Sequence, residues 1–395
     1  MMKRFFASLF LSAALLFSVS GQQQKSDTTI YMLTCAPGTE IYSLWGHSAL
    51  RVVINEPASD MVYNWGVFDF NTPNFAWKFA KGRLDYMLGV YSYKTFLQDY
   101  YLEGRSVYSQ EVNLTAVEKL RLMIILNENN KPENRSYRYD FLYDNCSTRI
   151  RDIMKKLIGE KLIMPPDEPG KKTTFRDRIH EYTNVAPWLQ MGIDLLVGTP
   201  ADKRSGFEND MFLPELLQRN LTETIINRDR KMVPLLKSIE TVLDFPPAVH
   251  KNNLLTSPVF AFSILFIFIV LLSALLRNKP FINYFDIAIF FIFSLIAIII
   301  VFFSFFTDHV ETRLNINIIW FSPFIIICLW WLITGKNRPG WFKVVFWLSL
   351  ALVPFLVLAP DMVNTAYLPV TLILAFRSAA RADFRWNPFS TEFPE

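Results

Sequence analysis

Histidine and cysteine are scarce in this chain, with four and three residues respectively among 395. Cys35, Cys146 and Cys328 are too few for a multi-bridge disulfide framework. No cysteine pair stands at ligand spacing and the histidines are scattered, so no metal site is expected. No glycine-rich loop follows a strand pattern, which argues against nucleotide-dependent chemistry. Charge is also sparse: charged side chains make up 19% of the chain and the formal net charge is +4. Without a Lys/Arg stripe, that balance sets nucleic acid aside as a partner. The sequence implies no cofactor.

Apolar residues are abundant instead, at 51% with 36 Phe and 10 Trp, too many for an ordinary soluble chain of this length. Residues 1–21 read as a secretory signal: Lys3 and Arg4, a short apolar core from Phe5 to Phe17, then Ser18-Val19-Ser20 at cleavage spacing. Cleavage is the favoured reading and an uncleaved anchor the alternative. No cysteine follows directly, so the chain is not itself expected to be a lipoprotein. Residues 22–250 look globular, and residues 251–395 look like a membrane domain. Apolar runs near 254–276, 287–306, 316–334, 341–359 and 362–376 suggest about five transmembrane helices, the last of them short and carrying Asn364.

Charge predicts the topology. One set of loops and the tail carry Arg277, Lys279, Lys336, Arg338, Lys343, Arg377, Arg381 and Arg385, whereas the alternating loops carry only Arg313. This positive-inside bias puts the large domain outside the cytoplasm and the C-terminus inside it. The spans are nearly free of ionisable residues, so a proton relay is not expected. Five helices exceed what anchoring needs, and a lipid-handling or docking role fits better than a plain anchor.

Within the globular half, Thr28–Thr34 reads as a strand, and the segment from Trp45 to Ile54 as a second. Strand alternation puts His47, Ala49, Arg51 and Val53 on one face and Leu50, Val52 and Ile54 in the core behind it. A polar loop, 55–60, leads to a third strand over 61–70, a hairpin arrangement. Thr115 and Glu118 form a capping-box pattern opening a helix to about Leu126, and 127–136 reads as a mobile loop. Tyr137, Tyr139, Phe141 and Tyr143 alternate as a further strand.

Asp144-Asn145-Cys146 comes next. Ile150, Ile153, Met154, Leu157 and Ile158 recur at helical spacing and Gly159 is a natural stop, so Cys146 sits at a helix N-terminus capped by Asp144 or Asn145. Backbone N–H groups and the helix dipole there lower a thiol pKa and could steady an oxyanion. Three readings of Cys146 stand side by side: a small buried hydrophobe, half of a Cys35–Cys146 bridge, or a free nucleophile. His47, on a strand after a Trp-Gly bend, is the histidine best placed to serve as its base. His180, His250 and His309 fall in unpatterned or membrane-adjacent sequence.

The segments Trp-Gly-His-Ser-Ala-Leu-Arg-Val (45–52), Tyr-Asn-Trp-Gly-Val-Phe-Asp-Phe (63–70) and Asn-Cys-Ser-Thr-Arg (145–149) resemble the motifs of the Lnb N-terminal periplasmic domain family. So do Thr174-Phe175-Arg176, the segment 198–203 and Met211-Phe212-Leu213-Pro214, together with a multi-helix membrane half. The resemblance implies a lipoprotein N-acyltransferase of the Bacteroides type of envelope. The order His, polar residue, Asn-Cys is similar to the permuted papain-like folds of the NlpC and lecithin:retinol acyltransferase type. The fold class implied is therefore α+β, with a permuted papain-like extracytoplasmic domain followed by an all-α membrane domain.

By that likeness Cys146 matches the nucleophile, His47 the base and Asn64 the orienter. Here the orienter is Asn, not a second His, and symmetric pairing about 55–60 would put Arg51 opposite Asn64. A bulge or tighter turn is needed to bring Asn64 to His47. The implied donor is a membrane phospholipid and the acceptor a diacylated lipoprotein, both in the lipid bilayer. Arg51, Arg149 and Arg176 are candidates to grip phosphate, with solvated surface charge as the alternative. Trp45, Tyr63 and Asn145 are further candidate substrate-binding residues, and Trp45 with Trp188 could wall an acyl groove. The loop 307–317 is expected on the catalytic side. A thiol hydrolase and a non-catalytic membrane scaffold are the competing functions.

Overall fold

A computed structural model describes residues 28–170, 172–247, 253–276, 281–336 and 338–384. The expected signal, His250, Arg277, Lys279 and Arg385 lie outside the described residues. The globular half is built on a seven-stranded antiparallel sheet in the order β10-β5-β1-β2-β3-β4-β6. Its strands are β1 (Thr28–Cys35), β2 (His47–Ile54), β3 (Ser59–Val67), β4 (Asp85–Ser92), β5 (Val107–Val112), β6 (Ser136–Arg138) and β10 (Leu236–Leu243). A second sheet joins β7 (Leu162–Ile163), β8 (Ile225–Arg228) and β9 (Lys231–Pro234).

Helices close both faces of the large sheet. Between β3 and β4 comes α1 (Phe75–Ala80); α2 (Tyr93–Leu102) follows β4. Phe96 and Tyr100 of α2 pack with Leu33, Ala49, Val62 and Val107 on one face. On the other face, α3 (Ala116–Asn130) and α4 (Cys146–Ile158) bury Leu122, Leu126, Ile150 and Met154 against Ile30, Met32, Leu50, Val52 and Trp65. Leu50 and Val52 thus fill the core as their alternation predicts. Burial of each such side chain contributes about 1.5–3 kcal/mol. Both halves of the α3 capping box form, Glu118 N–H to Thr115 Oγ1 at 3.3 Å and Thr115 N–H to Glu118 Oε2 at 2.8 Å.

Three local expectations are corrected. Helix α3 runs on to Asn130, four residues past the expected end, and its added turn is held by Asn129, whose Oδ1 accepts from Trp65 Nε1 (2.8 Å) and whose Nδ2 donates to the Asn134 carbonyl (3.0 Å). Strand β6 stops at Arg138: Asp140 Oδ1 accepts the Leu142 and Tyr143 N–H groups (2.9 and 3.0 Å), and that turn replaces the alternating strand. The 55–60 loop tightens to a four-residue turn, 55–58, so β3 begins at Ser59.

Between the second sheet's strands run α5 (Phe175–Thr183), α6 (Pro187–Leu196), α7 (Gly206–Asp210) and α8 (Pro214–Glu223). The membrane half comprises α9 (Pro258–Leu276), α10 (Phe281–Phe305), α11 (Phe324–Thr334), α12 (Pro339–Leu350), α13 (Leu352–Leu358) and α14 (Tyr367–Arg381). Among the described residues, three stretches, Pro258–Leu276, Phe281–Phe305 and Pro339–Leu358, are long and apolar enough to cross a bilayer. The segment expected at 316–334 is interrupted around Ser322-Pro323, leaving an 11-residue apolar helix, and the one expected at 362–376 becomes the 15-residue α14. Proline at 323 removes a backbone donor and suits a helix start better than an interior.

The helical half also contains an ionic cluster. Asp286 of α10 accepts from Arg377 Nε (2.6 Å), Arg377 NH2 (3.0 Å) and Arg381 Nε (2.6 Å), and all three residues are buried. Arg377 and Arg381 are therefore not solvated; with Asp286 they lie just beyond the spans expected at 362–376 and 287–306, on the longer helices α14 and α10. A buried carboxylate must be matched by opposite charge, and the arginines on α14 supply it.

The two halves meet through polar contacts. Asp308 N–H donates to the Lys81 carbonyl (2.9 Å) and Gly198 N–H to the Glu311 carbonyl (2.7 Å), so the 307–317 loop does pack on the globular domain. Asp194 is the hub of a second contact. Its carboxylate accepts from His180 Nε2 (2.7 Å), Asn364 Nδ2 (2.8 Å) and, at 3.4 Å, Arg176; Asn317 Nδ2 bonds its carbonyl (2.8 Å).

Candidate active site

Asn145 begins the site. Its side-chain Oδ1 accepts the Ser147 and Thr148 N–H groups (2.8 and 3.0 Å), while Thr148 Oγ1 accepts the Asn145 N–H (2.7 Å). Asn145 Nδ2 is anchored to the Phe141 and Phe212 carbonyls (2.7 and 2.9 Å). Asn145, not Asp144, is the N-cap, and it holds Cys146 as the first residue of α4. Two N–H groups of the first turn are thereby engaged by the cap. This narrows the oxyanion expectation to the N–H of Cys146 itself.

Cys146 is buried and lies within electrostatic reach of His47, the first residue of β2. The helix mouth is fastened to the start of that strand by Ser48 Oγ and Ser147 Oγ, 3.2 Å apart. Burial pushes the Cys146 thiol up, but the charge of and hydrogen bond to His47, the Ser48 N–H and Ser147 outweigh it, and the pKa falls below the ordinary 9.0. For half-buried His47, desolvation pushes down; Cys146 and the Asn64 hydrogen bond outweigh it, and the pKa rises above 6.5. The two shifts bring the thiol and the imidazole toward each other, which eases transfer of the thiol proton to His47.

His47 Nε2 bonds Asn64 Oδ1, which leaves Nδ1 for the thiol. Asn64 Nδ2 in turn donates to the Tyr91 hydroxyl. The tight 55–58 turn explains this contact. It pairs Leu50 with Tyr63 and Val52 with Met61, so Asn64 falls diagonal to His47 rather than opposite Arg51. His47, Asn64 and Tyr91 thus form a diagonal across β2, β3 and β4. This arrangement can deprotonate a thiol, hold the imidazole in one orientation and attack an acyl carbon.

The Lnb N-terminal periplasmic domain model matches residues 19–167, and the Lnb transmembrane domain model matches residues 250–384. The chain belongs to the Lnb family. No curated protein and no solved structure matches it. Membership makes it a membrane protein with a periplasmic and a transmembrane domain, and points to a lipoprotein-modifying membrane enzyme. All the side chains of the diagonal, and Cys146, fall within the matched periplasmic region of this Lnb chain.

The other candidate residues are not gathered around the thiol. Arg51 forms a bidentate pair with Asp60 (2.8 and 2.7 Å) and lies 3.6 Å over the Tyr93 ring. Arg149 pairs with Asp144 (2.6 and 2.8 Å) and covers Tyr137 at 3.5 Å. Arg176 is buried, paired with Asp202 at 2.6 Å and bonded to the Val197 and Gly198 carbonyls. None of the three is a solvated surface charge, and each already engages a carboxylate. Tyr63 belongs to the core under α4. Trp45 packs on Phe141 at 4.8 Å, while Trp188 lies away at the domain junction, bonding the Thr256 carbonyl (2.8 Å) and touching Phe262. These two tryptophans therefore do not form one groove.

Cys35 is a free, buried thiol, as are Cys146 and Cys328, so no Cys35–Cys146 bridge forms. Burial pushes Cys35 up to about 12, which keeps it protonated and inert. Sequence reasoning missed Tyr91, which lies on β4, where register sets the pairing with β3; only hydrophobic alternation along β4 could have hinted at it.

Proposed function

We propose that this chain is a lipoprotein N-acyltransferase acting through a Cys146 thioester, in a permuted papain-like periplasmic domain joined to an inner-membrane domain of about five helices with a cytoplasmic C-terminus. The observation that carries the reading is the grouping of Cys146 at a capped helix N-terminus with His47, whose Nε2 bonds Asn64 and whose charge acts on the thiol. The chain order of His, Asn and Cys, and the Lnb matches on both halves, support it.

Each half-reaction balances on these groups. Cys146 passes its proton to His47, and Sγ attacks an ester carbonyl of a phospholipid. The C–O bond breaks, His47 returns the proton to the leaving alkoxide, and a lysophospholipid departs. The α-amino group of a lipoprotein's diacylglyceryl-cysteine then attacks the thioester. An N–C bond forms, the S–C bond breaks, and the amine's proton returns by way of His47 to the thiolate. One covalent intermediate serving two substrates gives ping-pong kinetics.

Purified protein in phospholipid, supplied with a diacylated lipopeptide, is expected to yield an amide-linked third chain by mass spectrometry. Free fatty acid without amide would identify a hydrolase. Unchanged lipoprotein acylation by Cys146→Ala in a dependent strain would identify a scaffold.

A further inference from the structure

Helix α1, with the sequence FAWKFA, buries none of its residues. Trp77 is 59% exposed and Phe79 51%, and nearby Phe70 is 68% exposed. The globular core does not account for an aromatic segment of this kind, and a contiguous exposed apolar patch marks a surface that meets an apolar partner. Its setting identifies that partner. The Trp77 ring stands 5.7 Å from Phe302, Lys81 Nζ bonds the Phe306 carbonyl at 2.5 Å, and His309 Nε2 bonds the Phe79 carbonyl at 3.0 Å. Phe302 belongs to the last turn of α10, a helix long enough to cross a bilayer. Helix α1 is thus pinned where that span leaves the hydrocarbon, a level that favours aromatic side chains.

From there the rings run inward without a break. Phe79 to Phe75 is 6.2 Å, Phe75 to Phe68 5.8 Å, Phe68 to Tyr86 5.2 Å, and Tyr86 stacks on Tyr139 at 4.5 Å. Tyr139 and His47 both flank Gly66, whose absent Cβ would lie 3.9 Å from each ring. The track therefore starts at the end of a membrane helix and finishes beside the candidate base. Its four steps are each 4.5–6.2 Å between ring centroids, a path long enough to follow an acyl chain that fills a leaflet about 15 Å deep.

We propose that the aromatic track from Phe79 to Tyr139 binds the fatty acyl chain of a membrane phospholipid and leads its ester carbonyl to Cys146. The proposal rests on the acyl-transfer reading for its chemistry, but lipid binding along the track is separable from it. Flat ring faces suit a polymethylene chain, and continuity with the α10 terminus favours a bilayer lipid over a peptide.

The test uses the full chain, both wild type and Cys146→Ala, in bilayers containing a phospholipid with a diazirine at the acyl terminus or mid-chain. Illumination and peptide mapping are expected to place cross-links on Phe68, Tyr86 and Tyr139 as well as on Phe79. Labels that stop at Trp77 and Phe79, with none further inward, overturn the track and leave α1 as a membrane-skimming helix. Labelling that persists in Cys146→Ala, with no acyl-thioester in wild type, would sink the acyltransferase reading while the track stands.

A second measurement covers the chemistry. In the double variant Phe68→Ser/Phe75→Ser, acyl-enzyme formation from sixteen-carbon donors is expected to fall at least tenfold more than from acetyl or butanoyl thioesters. Equal losses at every chain length would overturn the role in acyl-chain binding.

Discussion

Two buried polar clusters set the halves of this molecule apart. In the globular half, Cys146, His47, Asn64 and Tyr91 form a series in which a thiol and an imidazole titrate toward each other. In the helical half, Asp286 is clasped by Arg377 and Arg381. Only the first pairs a thiol with an imidazole, a nucleophile with a base, whereas the second pairs one carboxylate with two guanidinium groups. Burial alone thus does not make a reactive site; the pairing of groups with adjustable pKa values does. The second cluster is a clamp between α10 and α14.

The comparison breaks most completely at Cys146. Cys146→Ala is expected to abolish acyl transfer, and His47→Ala to lower kcat by about a thousandfold or more, the scale for removing one member of a cooperating set. Mass spectrometry of the lipopeptide product checks both, and either variant working at wild-type rate would remove these residues from the mechanism.

Asp286→Ala should act on stability instead. It strips the carboxylate from buried Arg377 and Arg381, at a cost of about 3–5 kcal/mol. Thermal unfolding in detergent would show it. Replacing all three by apolar residues of similar volume is expected to recover most of the loss, as a structural clamp allows. A single variant melting with wild type would show that the cluster does not clamp.

Asn64→Ala removes the partner of His47 Nε2 and is expected to lower kcat by roughly tenfold to a hundredfold, the scale of losing an outer orienting bond. Substrate KM should change little, since Asn64 acts through the imidazole. A KM-only effect would reassign Asn64 to substrate binding.

The smallest effect sharpens the electrostatics. Cys146 is pulled below 9.0, so iodoacetamide labelling should rise with pH at a midpoint below that of a free thiol. In His47→Gln the opposing charge is gone and burial acts alone, so the midpoint should move up. A midpoint unmoved by that change would mean that the imidazole does not stabilise the thiolate.

Much of this was legible in the residues, and the limits have physical causes. Asn145-Cys146 followed by Ile150, Met154 and Leu157 encodes a capped helix locally, within one turn and one apolar stripe. The Trp-Gly-His strand and the apolar alternation behind it are equally local. The contact between His47 and Asn64 was not legible, because a hairpin's register depends on its turn. Shortening 55–60 to 55–58 moved Asn64 from beside Arg51 to the diagonal of His47. Arg377 and Arg381 looked like cytoplasmic charges for the same kind of reason: an arginine reads as solvated until a carboxylate from another helix is set against it.

By itself, then, the sequence determined the two kinds of solvent the chain must meet, the helix mouth that holds Cys146, and the strand that carries His47. Those features follow from composition and short-range periodicity. Tertiary structure alone decided which side chains meet: Asn64 and Tyr91 behind His47, Asp286 between two arginines, and a line of aromatic rings from α10 to the thiol. The meetings that close these groups join distant residues, 17 positions apart for His47 and Asn64 and 230 for Phe79 and His309, and no local pattern encodes the register and packing that bring them together.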